Sequence, residues 1–234
     1  MFSRTQHHYD AVYSWKDYPA EAARILEIVD GHFPDGAGAL LDVACGTGAH
    51  LELLRDHLPV EGLDLDPGMV DIARLRNPGV PIHTGDMLTF DLQRQFAVVI
   101  CMFSSIGYVD GEDRLRAAIA NFSRHLRPGG LLLVEPWLDP DTYEARALPD
   151  LFTVERNDLK IARMGRVDRD GDRTTIRFDY LVGTADGVEH VSEEHATWLY
   201  TRAQYEAAFR GAGLTVDFDA EGVDGRGLYI GAKP

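Results

Sequence analysis

Asp42, Gly46 and Gly48 carry the first chemical signal in the chain. They lie in ALLDVACGTGAHLELLRDHL (39–58), where the apolar run Ala39–Cys45 gives way to Gly46-Thr47-Gly48, and then to Leu51, Leu54 and Leu58 at helical spacing. The run has the pattern of a strand buried on both faces of a parallel sheet. A strand, a glycine turn and a helix bring backbone N–H groups close to a ligand, and the helix start favours an anion. A full dinucleotide fingerprint would need a third glycine, and Leu51 stands in its place. An acid inside the strand, Asp42, is costly to bury unless it meets a ligand cation.

Further acids follow at strand ends. Val60–Leu65 reads as a second strand, and Asp64 falls 18 residues past Gly46, where an acid can hold a ribose hydroxyl pair. Asp66 is the alternative for that role, although its place before Pro67 reads as a helix cap. Asp86-Met87 follows a third strand, Val80–His83; such a pair can accept from an exocyclic amine and pack on a base, or simply form an Asx turn. Phe96–Phe103 (FAVVICMF) is the most apolar run and is expected at the centre of the sheet. It leads into Ser104-Ser105-Ile106-Gly107-Tyr108, a polar loop at the edge where open α/β sheets bind ligands. His125, at the end of a helix over about 112–126, reads as a cation near a helix C-terminus rather than as a base.

These residues need a framework to hold them. Ala22, Ile25, Leu26, Val29 and Phe33 predict a helix closed by Pro34-Asp35-Gly36. Met69, Val70, Ile72, Ala73 and Leu75 predict another after Pro67. A fifth strand, Leu131–Val134, follows Arg127-Pro128-Gly129-Gly130 and closes in Glu135-Pro136-Trp137. From Leu151 to Tyr200 the period changes to two, with turn signals at Asp170-Gly171-Asp172 and Asp186-Gly187, which predicts an antiparallel meander of three or four strands. A helix at about 202–212 and strands at Leu214–Phe218 and Leu228–Ile230 complete the chain. The aromatic opening, with Tyr9, Tyr13, Trp15 and Tyr18, fits either a terminus packed loosely on the main body or a cover over a pocket mouth. The expected fold is therefore a single α/β domain with a Rossmann-like, seven-stranded, mostly parallel sheet. It carries an antiparallel β insertion at about 150–200 near the substrate site and an N-terminal cover over residues 1–20.

Composition narrows the partners. The 234 residues are 45% hydrophobic, which excludes general disorder, and the net charge of −15 argues against a broad surface for nucleic acid. Cys45 and Cys101 lie in apolar runs and fit buried thiols rather than a disulfide framework or a metal site. No signal-like opening and no apolar run of 18 residues is present, so a cytoplasmic protein off the membrane is expected.

Taken together, Asp42-x-x-x-Gly46-x-Gly48, the acid after strand 2, Asp86-Met87 after strand 3 and Pro-Gly-Gly before strand 5 resemble the class I S-adenosylmethionine-dependent methyltransferases. The resemblance implies S-adenosylmethionine as cofactor, held through Asp42, Ala44, Gly46 and Gly48 on its methionine part, Asp64 on the ribose, and Asp86-Met87 on the adenine. Ala44 stands where many members carry the first of three glycines. A narrower likeness joins Tyr9-Asp10-x-x-Tyr13, Lys16-Asp17-Tyr18, Met102-Phe103-Ser104-Ser105-x-Gly107-Tyr108, Val134-Glu135-Pro136-Trp137 and Gly225-Arg226-Gly227-Leu228 to the bacterial amino-sugar N,N-dimethyltransferases of antibiotic biosynthesis. It implies a nucleotide-linked amino sugar as acceptor, in a monomer or homodimer. Tyr13 would position cofactor or amine, Met102 would line the adenine pocket, and Trp137 and Arg226 would face the nucleotide sugar. Arg226, between two glycines, is expected to present an uncrowded guanidinium to the diphosphate. Ser14-Trp15 replaces the Gly-Arg-Gly that relatives carry before Lys-Asp-Tyr. Tyr13 and Glu135 are candidates for receiving the amine's proton, with no general base assigned.

Overall fold

The computed structural model describes residues 5–141, 143 and 148–234; the first four residues of the expected cover lie outside them. Five strands alternate with helices as the periodicity predicts. They are β1 (Leu40–Val43), β2 (Val60–Asp64), β3 (Ile82–Thr84), β4 (Phe96–Cys101) and β5 (Leu126–Val134). After α1 (Tyr9–Val12) and α2 (Tyr18–His32), the crossovers carry α3 (Ala49–Leu54), α4 (Pro67–Arg76) and α5 (Glu112–Arg124). Then come β6 (Asp150–Glu155), β7 (Lys160–Asp170), β8 (Arg173–Thr184), β9 (Gly187–Trp198), α6 (Arg202–Gly211), β10 (Thr215–Asp219) and β11 (Leu228–Ala232).

The main sheet has the order β10-β11-β5-β4-β1-β2-β3, with β4 at its centre as its uninterrupted apolar run predicts. β1 to β5 pair in parallel, and β11 runs antiparallel to both of its neighbours. The strand order reverses where β1 lies between β2 and β4. That crevice, at the carboxyl ends, is where ligands bind in open α/β sheets. Each face of the sheet is covered by helices. Ile25, Val29, Leu51, Leu54 and Val70 pack on one face, and Leu115, Ile119, Phe122 and Phe209 on the other. Full burial of one such side chain stabilises by roughly 1.5–3 kcal/mol.

β5 starts five residues earlier than expected. Leu126 pairs with Phe96 and Leu131 with Val98, so Arg127-Pro128-Gly129-Gly130 bulges out of the ladder instead of forming a separate turn. β4 stops at Cys101, ahead of Phe103, because Phe103 and Ser104 both take positive φ (52° and 58°), which no strand accommodates.

β6 to β9 form a second, wholly antiparallel sheet in meander order. On β9 the buried positions alternate, Val191, Glu193, His195 and Thr197, as period two requires. Against its inner face pack Ala11, Val12 and Tyr13 of the N-terminal segment, together with Val154, Ile161, Tyr180 and Val182. Both cysteines are buried free thiols. No helix among the described residues is long and apolar enough to cross a membrane.

Candidate active site

The loop after β1 is built from left-handed residues: Ala44 (φ 61°), Gly46 (φ 55°) and Gly48 (φ 74°). Ala44 adopts this conformation despite its Cβ. The two glycines differ in what surrounds them. A Cβ on Gly46 would meet open space, whereas one on Gly48 would sit 2.5 Å from Asn77 Nδ2 and 3.1 Å from the Ala73 Cβ. Gly46 lines the crevice and Gly48 does not; Gly48 lets α4 approach, and Asn77 donates to the Gly48 carbonyl at 3.0 Å. Leu51, which stands where a third glycine would be, reaches Gly62 on β2: a Cβ there would lie 2.7 Å from its Cδ1.

Asp42 is 1% exposed, and its Oδ2 has no hydrogen-bond partner. Burial first, and then the nearby Asp64, push its carboxyl well above the usual range. Asp42 lines a small cleft with Tyr9, Tyr18, Thr47, His50 and Met102. An acid with an unpartnered oxygen beside a cleft has the chemistry to receive a cationic ligand. Met102, which the resemblance places in the adenine pocket, lines this cleft.

Next to this cleft lies a cavity of about 620 Å³, whose walls include Ala44, Gly46, Asp64, Asp86 and Met87 at one side, and Tyr13, Phe103, Trp137, Phe178 and Arg226 at the other. Asp64 Oδ2 accepts from Gly46 N (2.8 Å) and Oδ1 from Asp66 N (2.9 Å), so each oxygen keeps a second lone pair for a ligand. Burial raises its pKa and these backbone amides oppose the rise. Asp66 caps α4 by accepting from Gly68 N at 2.9 Å. Asp86 makes the Asx turn, accepting from Leu88 N (2.9 Å), and also lines the cavity.

Tyr13 is buried against Phe103, edge to face at 5.2 Å between centroids. Burial raises its hydroxyl pKa, and the Arg163 guanidinium pulls it back. Trp137 donates from Nε1 to Thr174 Oγ1 on β8 at 3.4 Å, joining the two sheets. Arg226 does line the cavity, flanked by left-handed Gly225 and Gly227, but its guanidinium is not uncrowded. It pairs with Asp224 (2.7 Å), lies 3.4 Å from Glu135 and donates to Ser104 Oγ (3.0 Å). Glu135 is behind the wall, accepting from Phe103 N at 2.7 Å. His125 belongs to the core: Leu92 N donates to its Nε2 at 3.2 Å and its ring stacks on Phe90.

The structure adds Arg163, Tyr108 and the pair Glu193 and His195, none of which takes a role from the sequence motifs alone. Arg163 lines the cavity from β7, with its guanidinium over Phe178 (4.6 Å), Phe152 (5.2 Å) and Tyr13 (5.5 Å), and its buried Nη1 has no hydrogen-bond partner. Period two held the signal: Arg163 shares its phase with buried Ile161, and Glu193 and His195 share theirs with Val191.

A methyltransferase domain family matches residues 40–130. The chain is 45% identical, over 95% of its length and 88% of the relative's, to the dTDP-3-amino-3,6-dideoxy-alpha-D-glucopyranose N,N-dimethyltransferase of Streptomyces fradiae. It is 42% identical, over 92% of its length and 91% of the relative's, to the dTDP-3-amino-3,4,6-trideoxy-alpha-D-glucopyranose N,N-dimethyltransferase of Streptomyces venezuelae. Among solved structures, an amino pentose methyltransferase of Micromonospora echinaspora involved in calicheamicin biosynthesis, with S-adenosylmethionine bound, superposes with a TM-score of 0.88 at 38% identity, covering 97% of this chain and 96% of that one.

Proposed function

The chain belongs to the class I S-adenosylmethionine-dependent methyltransferases, in the family of the amino-sugar N,N-dimethyltransferases, and from that premise we propose that it dimethylates the amino group of a dTDP-linked amino sugar. Its cofactor is S-adenosylmethionine, which supplies a methyl group already activated on a sulfonium. The observation that carries the acceptor reading is the single cavity joining the acids at β2 and β3 to a wall of aromatic rings and arginines. A nucleotide sugar needs both flat apolar surface and cations, and a chain with a net charge of −15 has to concentrate the cations locally.

On this reading the orphaned Asp42 oxygen receives the methionine ammonium, and the free lone pairs of Asp64 receive the ribose hydroxyls. Ala44 and Gly46 open the backbone beside the methionine part, and Gly48 holds that turn against α4. Asp86 and Met87 take the adenine, and Met102 closes the Asp42 end. Tyr13 orients the amine, Trp137 forms the wall for base or sugar, and Arg226 faces the diphosphate. Alignment of two reactants in this way supplies on the order of 7–11 kcal/mol, so a positioning site suffices for most of the rate. The whole chain then acts as one methyltransferase domain, with residues 1–20 as a cover and the sheet at about 150–200 as the roof of the acceptor half.

The test is incubation with S-adenosylmethionine and dTDP-3-amino-3,6-dideoxyglucose, with product masses read for one and two added methyl groups. Arg226→Ala is expected to raise KM for the nucleotide sugar at least about tenfold, the loss of roughly one charged hydrogen bond, with cofactor affinity unchanged. A free amino sugar that works as well as the nucleotide-linked one removes the diphosphate from the reading.

A further inference from the structure

One polar cluster on the cavity wall has no part in the positioning scheme above. Tyr108, in the turn after β4, lines the cavity, and its hydroxyl shares a 3.1 Å hydrogen bond with Nδ1 of His195 on β9. His195 is 1% exposed, and its Nε2 lies 3.8 Å from a carboxylate oxygen of Glu193. Thr5 fixes that carboxylate, donating from its backbone N (3.1 Å) and its Oγ1 (2.7 Å). The Glu193 charge, near Nε2 but beyond hydrogen-bond reach, favours a proton on that side of the ring, and Nδ1 then accepts from the tyrosine hydroxyl. A hydroxyl on the cavity wall bonded to a buried imidazole, with a carboxylate close by, gives a proton a path away from the cavity.

We propose that Tyr108, backed by His195 and Glu193, takes up the proton that the acceptor amine must shed between its two methylations. The proposal rests on the amino-sugar reading. Each methylation leaves the nitrogen as an ammonium, and the next one needs its lone pair restored. An N–H bond of that ammonium breaks and its proton passes to the Tyr108 oxygen, while the Tyr108 O–H bond breaks and its proton forms an N–H bond at His195 Nδ1. The nitrogen keeps the electron pair, and the imidazolium formed faces the Glu193 carboxylate. Once product has left, the proton returns through Tyr108 to water.

The surroundings suit a tyrosine that relays without standing as a phenolate. Burial first, then Tyr13, Glu193, Tyr180 and Asp64, raise its hydroxyl pKa. Those groups face the relay from the N-terminal segment, β9, β8 and β2. The Phe178 ring lies edge-on to the imidazole at 5.7 Å between centroids and carries the Arg163 guanidinium 4.6 Å from its centre.

The experiment measures the rate of each methylation over pH for the parent, Tyr108→Phe and His195→Gln, with mono- and dimethylated products resolved by mass and Tm recorded. Expected in both variants is accumulation of monomethyl product and a second methylation slowed about a hundredfold, the lower end for a positioned acid–base group. Cofactor affinity by calorimetry stays at the parent value. Tyr108→Phe keeps the ring and removes only the hydroxyl, so it decides the matter even if the buried His195 variant does not fold. A parent-like product ratio and pH profile in folded Tyr108→Phe overturn the relay alone. A parent that methylates no amino sugar overturns the amino-sugar reading and the relay together.

Discussion

Three acids at the ends of β1, β2 and β5 are held in three ways, and each has a different consequence. Asp42 has a bare oxygen, Asp64 is fixed by two backbone amides, and Glu135 lies between the Phe103 amide and the Arg226 guanidinium. Glu135 is 0% exposed; burial pushes its pKa up to about 7, although Arg226 opposes the shift. Below the ordinary value of 4.5 the carboxyl is protonated both folded and unfolded, and its burial adds no pH dependence. Between about 4.5 and about 7 the unfolded chain has released this proton and the folded chain still holds it, so stability falls as pH rises through that window. At about 1.4 kcal/mol per pH unit the loss amounts to about 3 kcal/mol. The parent's Tm is therefore expected to drop more between pH 5 and pH 8 than that of Glu135→Gln, which keeps an acceptor for Phe103 N and cannot ionise. Parallel Tm curves for the two proteins would remove Glu135 as the cause. Nothing in Val134-Glu135-Pro136 foretells this burial, because the residues that enclose Glu135 come from the distant turn at 103–104 and the loop at 224–226. Asp42, by contrast, is legible from sequence, because an acid inside an apolar run is too costly to bury unless a ligand meets it.

The elements are read most faithfully where one period runs without interruption. β4 and the alternating strands of the second sheet follow their patterns, while β5 and the end of β4 depart from them through a bulge and two left-handed residues that polarity does not encode. The glycine turn shows the limit most clearly, since Gly46 and Gly48 look equivalent in sequence. Space separates them. Gly46→Ala should cost only the left-handed strain of an L residue, about 1–2 kcal/mol. Gly48→Ala adds a collision with Asn77 Nδ2 and the Ala73 Cβ, and overpacking of this kind costs roughly 1–3 kcal/mol more. Because Asn77 also donates to the Gly48 carbonyl, the Gly48 variant should loosen the seam between α3 and α4 as well. Denaturant unfolding of the two variants measures the difference; equal losses would show that the seam yields freely and that Asn77 has no grip on the turn.

At the scale of the molecule, the segment before α2 also joins the two sheets, and its partners are too far along the chain for any local pattern to reveal. Thr5 reaches Glu193 on β9 across 188 residues. Asp10 pairs with Arg76 at the end of α4 and accepts from Thr47 in the glycine turn at 2.8 Å. Tyr13 packs on Phe103 and, with Ala11 and Val12, on the inner face of the second sheet. Lys16 pairs with buried Glu21, which also meets His50 at 2.8 Å. The sequence admits equally an aromatic terminus packed loosely on the main body and a cover over the pocket; in the structure the segment packs on the second sheet, and Tyr9, Tyr13 and Trp15 line the cavity. Neither core cluster flanking the main sheet contains a residue before Ala22, so that sheet does not need the segment for its packing. The second sheet does, because its inner-face cluster includes Ala11, Val12 and Tyr13. Deletion of residues 1–16 is therefore expected to leave amide-exchange protection unchanged in β1, β4 and β5 and to lower it across β6 to β9. Methyl transfer should be lost in the same protein, since the deletion removes Tyr13 and Tyr9 from the cavity wall and Asp10 from the glycine turn. Protection lost equally from both sheets would make the segment part of one global fold, and protection retained in β6 to β9 would show that the second sheet stands without it. Only the split outcome fits a cover that holds the acceptor half of the site against a main sheet that folds independently of it.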